Sequence, residues 1–253
     1  MQTRKASRKK IVKRATRGTA APRKDGNGTR RVRADDMLSN ALRLFAQLGY
    51  ANATVKAIAD AADFNPALLY YYYENKEALF IAALRHAIAA VLELSAIEAG
   101  TARTSSEPCA IGELATHLAS EAARCSKADV QVRVDASVPA AVLCDSARLE
   151  RILDELVANA VRHCSSGRID IAVTMDAHPG SVSISVQDDG AGLSREVEAH
   201  VFEPFNSPDC ERAGLGLALA RRTASLLGGE LAYEPREERG ARFRLRIPAR
   251  TSA

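Results

Sequence analysis

The sequence predicts an α+β protein with two folded parts, an all-α helix-turn-helix bundle followed by a two-layer α/β sandwich. Apolar residues recur at helical spacing through the first third of the chain. In several later segments apolar and polar residues alternate with a period of two, which is typical of strands with one buried face. Amphipathic helical stretches separate those segments, and helices gathered on one side of a sheet make a two-layer sandwich.

Charge divides the chain into a basic arm and an acidic remainder. Residues 1–34 contain thirteen Lys or Arg and a single acid, Asp25, whereas the rest contains 22 basic and 30 acidic residues. The arm has almost no periodic apolar residues, so it cannot bury enough surface to fold alone. We expect residues 1–33 to be a disordered tail, which is either a solubilising extension or an arm that neutralises DNA phosphates.

The sequence also predicts the compartment. The first residues carry charge with no apolar core behind them, so no secretory signal is expected. The apolar runs fall short of the roughly 18 residues that a membrane span needs, so no membrane contact is expected. The cysteines are odd in number and show no paired ligand spacing, which argues against a zinc site or a disulfide framework and for the reducing cytoplasm: Cys109, Cys125, Cys144, Cys164 and Cys210.

Residues 34–80 predict three helices. Thr54 is a good N-cap for the second helix, and Asn65 followed by Pro66 opens the third. Two short helices separated by a short turn form a helix-turn-helix, whose second helix enters the major groove. The first helix is predicted from apolar residues at helical spacing, and Gly49 ends it: Met37, Leu38, Ala41, Leu42, Phe45 and Leu48.

Further residues of this segment have a distinctive order and spacing: Leu44-Phe45, Gly49, Thr54, Ile58-Ala59, Leu69-Tyr70, Tyr73, Lys76-Glu77 and Leu79. In this respect the segment resembles the amino-terminal domain of the tetracycline-repressor (TetR) family. The resemblance implies that this segment, residues 34–80, which we call the head, binds duplex DNA. It also implies that Tyr71 and Tyr72 face the DNA and that Lys76 contacts a phosphate. Hydroxyl groups, a lysine and a helix N-terminus are good phosphate partners.

The predicted DNA-binding residues are Thr54, Asn65, Ala67, Tyr71, Tyr72 and Lys76. Asn65 and Ala67 lie near the start of the presumed recognition helix, so changes there are expected to alter sequence preference. In the run of four tyrosines, Tyr70 and Tyr73 are three residues apart and are expected to lie in the core.

Residues 81–106 are predicted to be a helical connector and a polar linker. Lys76 to Ala99 has the pattern of one long helix with a broad apolar face: Leu79, Ala82, Leu84, Ile88, Val91, Leu92 and Ser95. Its end, from Leu92 to Gly100, resembles the end of the second dimerisation helix of a histidine kinase, and we expect a homodimer. His86 and His117 lack the acid and proline that follow a kinase's phosphoacceptor histidine, so neither is expected to be phosphorylated.

Residues 107–250 predict the α/β sandwich. The expected strands contain Val130-Val132-Val134, Ile169-Ile171-Val173, Val182-Ile184-Val186, Leu231-Tyr233 and Phe243-Leu245-Ile247. Helices are expected at Ile111–Ser126, Ala147–His163 and Leu215–Leu227. Asp188 has the same parity as the buried residues before it, so its carboxylate is expected to point inward, where it needs hydrogen-bond donors.

Four sequence blocks follow one another in this part: Glu155 with Asn159, Asp188-Asp189-Gly190-Ala191-Gly192, Phe202-Glu203-Pro204-Phe205, and Gly214-Leu215-Gly216-Leu217. In this order they resemble the ATP-binding domain of the GHKL family, which includes the sensor histidine kinases. The resemblance implies that the domain binds ATP with Mg²⁺, and that residues 206–213 form a short lid over the nucleotide.

Each block has an expected role. In the family the asparagine holds Mg²⁺, and an amide oxygen suits that ion, so Asn159 is assigned the metal. Glu155 lies one turn earlier and could polarise an attacking water. Arg162 and His163 fall where the family has basic residues that contact phosphate. Asp188 would accept from the adenine amino group, and the glycines would give the backbone close turns and an open helix start for phosphates: Gly190, Gly192, Gly214 and Gly216, with Leu215 and Leu217 between them.

The sequence leaves three functional interpretations open. The favoured one is an ATP-binding transcriptional regulator whose nucleotide changes domain packing and so the spacing of two heads on DNA. The second is a protein kinase that phosphorylates a histidine or serine in trans on a partner, either a response-regulator-like protein or another phosphoacceptor. The third is a fusion in which one half has decayed, which the intact Asn159 and Asp188 argue against.

Overall fold

The computed structural model describes residues 28–61, 66–164, 166–177, 180–204, 214–236 and 239–250. The buried residues form two separate core clusters. One cluster extends from Met37 to Ala83 and belongs to helices alone, and the other extends from Cys109 to Ile247 and combines helices with a sheet. The predicted α+β fold class is therefore confirmed.

The head consists of α1 (Gly28–Asn52), α2 (Val55–Ala61), α3 (Pro66–Tyr72) and the first turns of α4 (Lys76–Glu98). Gly49 interrupts α1 as expected, because its φ of 74° is a backbone conformation that favours glycine. The Thr54 hydroxyl accepts a hydrogen bond from the Ala57 N–H at 3.1 Å, so its N-cap role is confirmed. The largest buried side chains of the head come from all four helices: Met37, Ile58, Leu69 and Leu79.

Helix α1 begins earlier than the sequence predicted. Residues 28–33 were assigned to the tail, but they form the first turns of this helix. Three of them are arginines, which have high helix propensity, and the helix behind them is already fixed by the head core. The rest of the predicted tail, residues 1–27, lies outside the described residues.

The placement of Tyr70 corrects one expectation. Its side chain is 58% exposed, whereas Leu69 is buried and Tyr73 packs against the head core. Leu69 and Tyr73 are four residues apart, so they share a helix face, and Tyr70 is rotated away from that face. Tyr71 and Tyr72 are exposed, as expected.

Helix α4 extends well beyond its contacts with the head, and it is apolar on more than one side. Asn75 caps its start by accepting from the Ala78 N–H at 2.8 Å. Leu79 and Ala83 are buried against the head, but much of the remaining apolar surface is exposed. By length and composition alone this helix could cross a membrane, although only 6% of its most apolar window is buried. One such helix is weak evidence for a membrane span, and the expectation that the protein makes no membrane contact stays a prediction.

The second part of the chain contains the predicted strands and helices together with short elements that were not predicted. Its elements are β1 (Glu107–Cys109), α5 (Ile111–Cys125), β2 (Asp129–Val134), β3 (Val142–Cys144), α6 (Ser146–His163), β4 (Arg168–Met175), β5 (Ser181–Asp188), α7 (Arg195–His200), α8 (Gly216–Leu226), β6 (Glu230–Glu234) and β7 (Arg242–Pro248). Each of the period-two segments is a strand. The elements that the sequence did not predict are β1, β3 and α7.

A five-stranded sheet with the order β2-β4-β5-β7-β6 forms the base of this part. Strands β2 and β4 are parallel, and the other neighbours are antiparallel. Alternate residues of the strands share a core with α5, α6 and α8, while ion pairs such as Arg244–Glu234 and Arg246–Glu230 join strands through the residues of opposite parity. The sheet is therefore one layer and the helices are the other.

Helix α4 is joined to this second part by ion pairs near its C-terminal end. The two oxygens of Glu93 contact Arg148 at 2.8 Å and Arg151 at 2.5 Å, and both arginines belong to α6. One turn later Glu98 contacts Arg222 of α8 at 3.4 Å. One helix thus extends from the core of the head to two helices of the sandwich.

Candidate nucleotide site and DNA-facing surface

Asp188, the last residue of β5, lies buried with its carboxylate turned inward as its parity predicted. Its Oδ1 accepts from the Gly190 N–H at 2.8 Å and from the Ala241 N–H at 3.4 Å. Burial raises the pKa of Asp188, an effect that those N–H groups and the charges of His163 and Arg236 oppose. Both of these hydrogen bonds end on Oδ1, so Oδ2 is the carboxylate oxygen that would accept a hydrogen bond from a ligand.

The turn after Asp188 depends on glycine at close approaches. A Cβ on Gly190 would collide with the carbonyl oxygen of His163, at the end of α6. Gly192 has a φ of 75° and lies against Gly240, whose own Cβ would collide with the Asp188 carbonyl. These contacts bring the β5 turn, the end of α6 and the residues before β7 together.

Arg236 belongs to this site, although no sequence motif marked it. Its Nη1 donates to the Asp188 carbonyl at 2.7 Å and lies 3.1 Å from an oxygen of Asp189. The side chain is only 13% exposed, so the guanidinium lies within the site. It fixes the turn and places a positive charge beside the buried carboxylate.

Asn159 faces a cation. Its amide oxygen accepts from Arg162 Nη1 at 2.6 Å, one turn further along α6. This oxygen is the atom that would ligate Mg²⁺, and such an oxygen among phosphates and waters suits that ion. Arg162 would have to turn toward the phosphates for the metal to approach, so the residues fit Mg-ATP if that one side chain moves.

Glu155 lies against the start of α8. A Cβ on Gly216, the first residue of this helix, would collide with the Glu155 carboxylate. The N-cap residue Leu215 makes no side-chain hydrogen bond to the helix, so the carboxylate of Glu155 is the anionic group that lies at its N-terminal turn. Leu215 is buried, half-buried Leu217 packs against the core, and Gly214 precedes them with a φ of 63°.

The predicted nucleotide residues are thus gathered at one edge of the sandwich, between the end of α6, the β5 turn and the start of α8. The predicted lid at 206–213 and Phe205 before it lie outside the described residues. Phe202, of the same block, lies beneath the guanidinium of Arg221 and packs edge-to-face with Phe243. The block therefore anchors the chain to the core just before the predicted lid.

The head offers two of its predicted DNA-facing groups to solvent. Tyr71 and Tyr72 are 76% and 41% exposed, and their rings pack edge-to-face. The hydroxyl of Thr54 caps α2 and so fixes the start of the first helix of the pair. Ala67 lies in α3, though nothing is described of its side chain, and Asn65 lies outside the described residues.

Lys76 does not have the environment that the sequence predicted. Its ammonium group donates to the carbonyls of Tyr50, Ala51 and Ala53 at 2.6, 3.3 and 3.0 Å. It also lies 4.5 Å from the centre of the Tyr50 ring. An ammonium has three N–H donors, so these carbonyls use all of them. Lys76 therefore holds the end of α1 against α4 rather than a phosphate.

Comparison with known families identifies both parts of the chain. Residues 37–83 match the family described as bacterial regulatory proteins, tetR family. Residues 144–251 match the family described as histidine kinase-, DNA gyrase B-, and HSP90-like ATPase. The predicted combination of a TetR-type head and a GHKL-type ATPase domain is confirmed.

The curated relatives include a histidine-protein kinase and a sensor protein. The chain is 31% identical over 163 residues to the signal transduction histidine-protein kinase AfsQ2 of Streptomyces coelicolor, which covers 62% of this chain and 29% of that kinase. It is 30% identical over 169 residues to the sensor protein TorS of Escherichia coli, covering 64% of this chain and 18% of TorS. The chain thus spans less than a third of the length of these relatives.

Solved structures share the fold. Full-length ShkA in complex with AMPPNP superposes with a TM-score of 0.62 at 24% identity, covering 89% of this chain and 45% of ShkA. The Acinetobacter baumannii histidine kinase AdeS gives a TM-score of 0.54 at 21% identity, covering 69% of this chain and 86% of that structure. These likenesses show that the fold is shared with the two proteins, of which ShkA was solved with AMPPNP and AdeS is a histidine kinase.

Replacing Asp188 with Asn tests the adenine contact. Asparagine can turn its NH₂ donor toward the adenine amino group, so one charge-assisted hydrogen bond should be lost. Such a bond is worth about 1.5–3 kcal/mol, so the affinity for ATP should fall roughly ten- to hundredfold in calorimetry. Asp189→Asn removes the same charge from the neighbouring, more exposed residue and should change affinity by about threefold at most. Equal losses in the two folded variants would contradict the assignment.

The raised pKa of Asp188 predicts that acid weakens nucleotide binding. The carboxylate must be ionised to accept from adenine, so affinity is complete above its folded-state pKa and falls as the pH drops through it. Because burial raises that pKa, the fall should begin at a higher pH than for an ordinary aspartate. ADP affinity measured against pH in the wild type and in Asp188→Asn separates this titration from that of the phosphates. Parallel profiles would show that Asp188 does not contribute.

Replacing Lys76 with Ala should destabilise the head. The lost charge-assisted hydrogen bonds and the contact with the Tyr50 ring predict a decrease of about 1–3 kcal/mol in the free energy of unfolding. Five of the six tyrosines lie in the head and the chain has no Trp, so tyrosine fluorescence during denaturation reports on this part.

The control is Lys56→Ala, an exposed lysine of α2, which should change stability by about 0.5 kcal/mol or less. If both variants were equally stable and only Lys76→Ala lowered the salt dependence of DNA binding, the phosphate contact first expected for Lys76 would be correct.

Proposed function

We propose that this protein is an ATP-binding transcriptional regulator, whose TetR-type head binds duplex DNA and whose kinase-like domain binds Mg-ATP. The observation that carries the proposal is the course of α4. Its first turns belong to the head core, and its last turns pair with α6 and α8, the two helices that carry nucleotide-site residues. We place the protein in the cytoplasm, away from the membrane.

In the proposed site each residue type has a chemical role. Asp188 accepts from the adenine amino group, and the Gly190 and Gly192 turn lets the base approach the backbone. Asn159 provides the oxygen for Mg²⁺, which when bound neutralises phosphate charge. Arg162 and His163 extend the positive surface at the end of α6. The N–H groups at Gly214–Leu217 bind phosphate oxygens at the helix start where the Glu155 carboxylate otherwise lies.

The proposed mechanism transmits nucleotide occupancy through α4. A nucleotide that draws the end of α6 and the start of α8 toward its phosphates shifts the positions of Arg148, Arg151 and Arg222. Glu93 and Glu98 follow these partners, and α4 moves as a rigid body with the head at its other end. In a homodimer such a movement alters the spacing of the two heads, and half-site spacing is a geometric condition for DNA binding.

Glu155 could allow the site to hydrolyse bound ATP and so return to the ADP state. Its carboxylate lies at the start of α8, where the phosphates would bind, and a carboxylate there can polarise a water. We propose slow ATP hydrolysis, with the ATP and ADP states differing in the packing of α6 against α8. The negative charge at a helix N-terminus is stabilised in the absence of phosphates.

The second candidate is a protein kinase that acts in trans on a response-regulator-like protein or another phosphoacceptor. It is favoured by the sequence identity to the histidine-protein kinase AfsQ2. His117 lies 3.7 Å from Glu121, its neighbour one turn on, and neither His117 nor His86 has the flanking residues of a phosphoacceptor. A kinase of this kind would therefore need its acceptor on another chain.

Two measurements distinguish these functions. A duplex enriched from a random pool by the full-length protein is titrated with and without AMPPNP or ADP, and the regulator predicts different DNA affinities in the different nucleotide states. Incubation with γ-labelled ATP should leave no acid-labile, base-stable label on the isolated protein. Retained label that is lost in His86→Ala would support autophosphorylation and contradict the regulator as proposed.

Glu93→Gln should uncouple the two binding activities. The amide keeps the shape of the side chain but loses the charge that holds Arg148 and Arg151, while Arg148 keeps its contact with Asp145. Coupling between two sites is typically about 5- to 150-fold in affinity, and in this variant the effect of AMPPNP on DNA affinity should fall to within about twofold.

Affinities for AMPPNP alone and for DNA alone should stay close to those of the wild type. Glu113→Gln removes an exposed carboxylate from α5 and is the matched control, which should keep the full coupling. A Glu93→Gln protein with unchanged coupling would show that the ion pairs of α4 are not the path.

A further inference from the structure

Two cysteines that are far apart in the sequence lie side by side in the structure. Cys109 ends β1 and Cys144 ends β3. In the antiparallel pairing of these strands, Cys109 lies opposite Val142, two residues before Cys144. Residues two apart on a strand share a face, so the cysteines occupy diagonal positions on one face of the pair. Both belong to the same hydrophobic cluster, in which Cys109 is buried and Cys144 is half-buried.

The two thiols also contact each other. The S–H of Cys144 hydrogen-bonds to the Cys109 sulfur and holds the pKa of Cys109 below its ordinary value, which burial opposes. The same contact, together with burial, raises the pKa of Cys144. The pair therefore loses its first proton more readily than its second. One thiolate beside one protonated thiol is the arrangement that a stepwise oxidation needs.

We propose that Cys109 and Cys144 are a redox site, which a hydroperoxide converts to a disulfide, and that this disulfide regulates the contact between α4 and α6. A permanent disulfide framework is not expected in a reducing compartment, but transient disulfides act there as redox sensors. The regulatory part of the inference rests on the proposed function, whereas the disulfide itself does not.

The oxidation takes two steps. In the first, a thiolate of the pair attacks one oxygen of the hydroperoxide, so an S–O bond forms and the O–O bond breaks. The other oxygen leaves as water or an alcohol with the proton that the thiol lost, and a sulfenic acid remains. In the second, the neighbouring sulfur attacks the sulfenic sulfur, an S–S bond forms, and the hydroxyl leaves as water with the second thiol's proton. The peroxide gains the two electrons that the sulfurs lose, and an external dithiol reverses the reaction by disulfide exchange.

Formation of this bond requires a small movement of the strands. Diagonal partners in an antiparallel pair lie about 7–8 Å apart between Cα atoms, whereas a disulfide spans about 4.4–6.8 Å. Strands β1 and β3 must therefore approach each other by about 1 Å at the cysteines. A disulfide closed in this way is strained, and strained disulfides are the ones that are readily reduced.

The residue that follows Cys144 connects the pair to α4. Asp145 caps α6 by accepting from the Arg148 N–H at 3.0 Å, and it lies 3.4 Å from Arg148 Nε. Arg148 in turn binds Glu93 of α4 at 2.8 Å. Helix α6 cannot follow a movement of Cys144, because Leu149 is fully buried in the core. The displacement therefore falls on Asp145, where it weakens the cap and turns Arg148 away from Glu93.

Peptide mapping tests the disulfide. The full-length protein is treated with a small excess of hydrogen peroxide, and its remaining thiols are blocked with N-ethylmaleimide. Trypsin, which cleaves after Lys and Arg, then places each of the five cysteines in a different peptide. We expect peptides 104–124 and 134–148 to be linked, and lighter than their sum by two hydrogens, in protein that runs as a single chain on a non-reducing gel.

Two variants control the mapping. Cys144→Ala removes the half-buried member of the pair and should abolish the link, and circular dichroism checks that its fold is kept. Cys164→Ala removes a buried cysteine at the end of α6 and should keep the link. Wild-type protein in which Cys109 and Cys144 both carry the maleimide after peroxide treatment would overturn the site.

Hydrogen exchange tests the movement without DNA or nucleotide. Weakening of the Asp145 cap should speed amide exchange in the first turn of α6 by roughly tenfold in the oxidised protein relative to the reduced one. The last turn of α6 is the internal control and should not change. Cys144→Ala should exchange alike with and without peroxide. Equal exchange in the two redox states, once mapping has shown the disulfide, would overturn the movement.

The effect of AMPPNP on DNA affinity tests the regulation. This effect should be present in the reduced protein, fall to within about twofold in the oxidised protein, and return on addition of dithiothreitol. Cys144→Ala should keep it in the presence of peroxide. Unchanged coupling in a protein with the disulfide would overturn the regulatory role. A disulfide that speeds exchange in a protein that binds neither AMPPNP nor enriched duplex would uphold the redox site while the proposed function fails.

Discussion

The bond between Glu93 and two arginines is the interaction on which the arrangement of this protein depends. One carboxylate joins Arg148 and Arg151, and its side chain is only 18% exposed, so the pairs are partly shielded from water. Removing one partner from such a site is costly, because the remaining charge stays desolvated. Arg148 also donates to the Arg103 carbonyl of the linker. The end of the long helix, the linker and α6 are therefore joined, and this contact together with the Glu98–Arg222 pair holds the head in its position relative to the ATPase domain.

The proposed nucleotide site is built on the same helix as this contact, and most of its residues already lie together. The glycine approaches around Asp188 and the Arg236 bond fix the turn before a ligand arrives. Arg162 is the exception, since its guanidinium lies on the oxygen that would meet the metal. A bound metal and phosphates would turn this one side chain, at the end of α6 remote from Arg148. A ligand that moves Arg162 therefore acts on α6, the helix that also binds Glu93 of α4. For this reason coupling between nucleotide binding and DNA binding could pass through α6 and α4 alone.

Local pattern predicted much of this structure, and tertiary context decided the rest. Strand parity placed Asp188 inside, because a period of two leaves a residue only two faces, and Thr54 caps its helix through neighbours alone. The prediction that Tyr70 is buried was wrong because local spacing does not decide which of two adjacent residues faces the core. Here Leu69 and Tyr73 face the core, and Tyr70 therefore faces solvent. Lys76 and Arg236 act on residues more than twenty positions away, which no local pattern reveals. Strands β1 and β3 have three residues each, too few for a period to show.

The composition of α4 follows from its two contacts. A helix apolar on several sides is expected in a membrane or in a deep core, yet this one lies between two domains with apolar side chains exposed. Leu79 completes the head, and Glu93, on the same side of the helix, binds α6. Residues on a rigid helix cannot move independently of one another, so a shift at Glu93 is also a displacement of the head. If two such helices pair, rotation of one is matched by the other about the two-fold axis. A change at either nucleotide site then alters the distance between both heads, which is the quantity that a two-part DNA site reads.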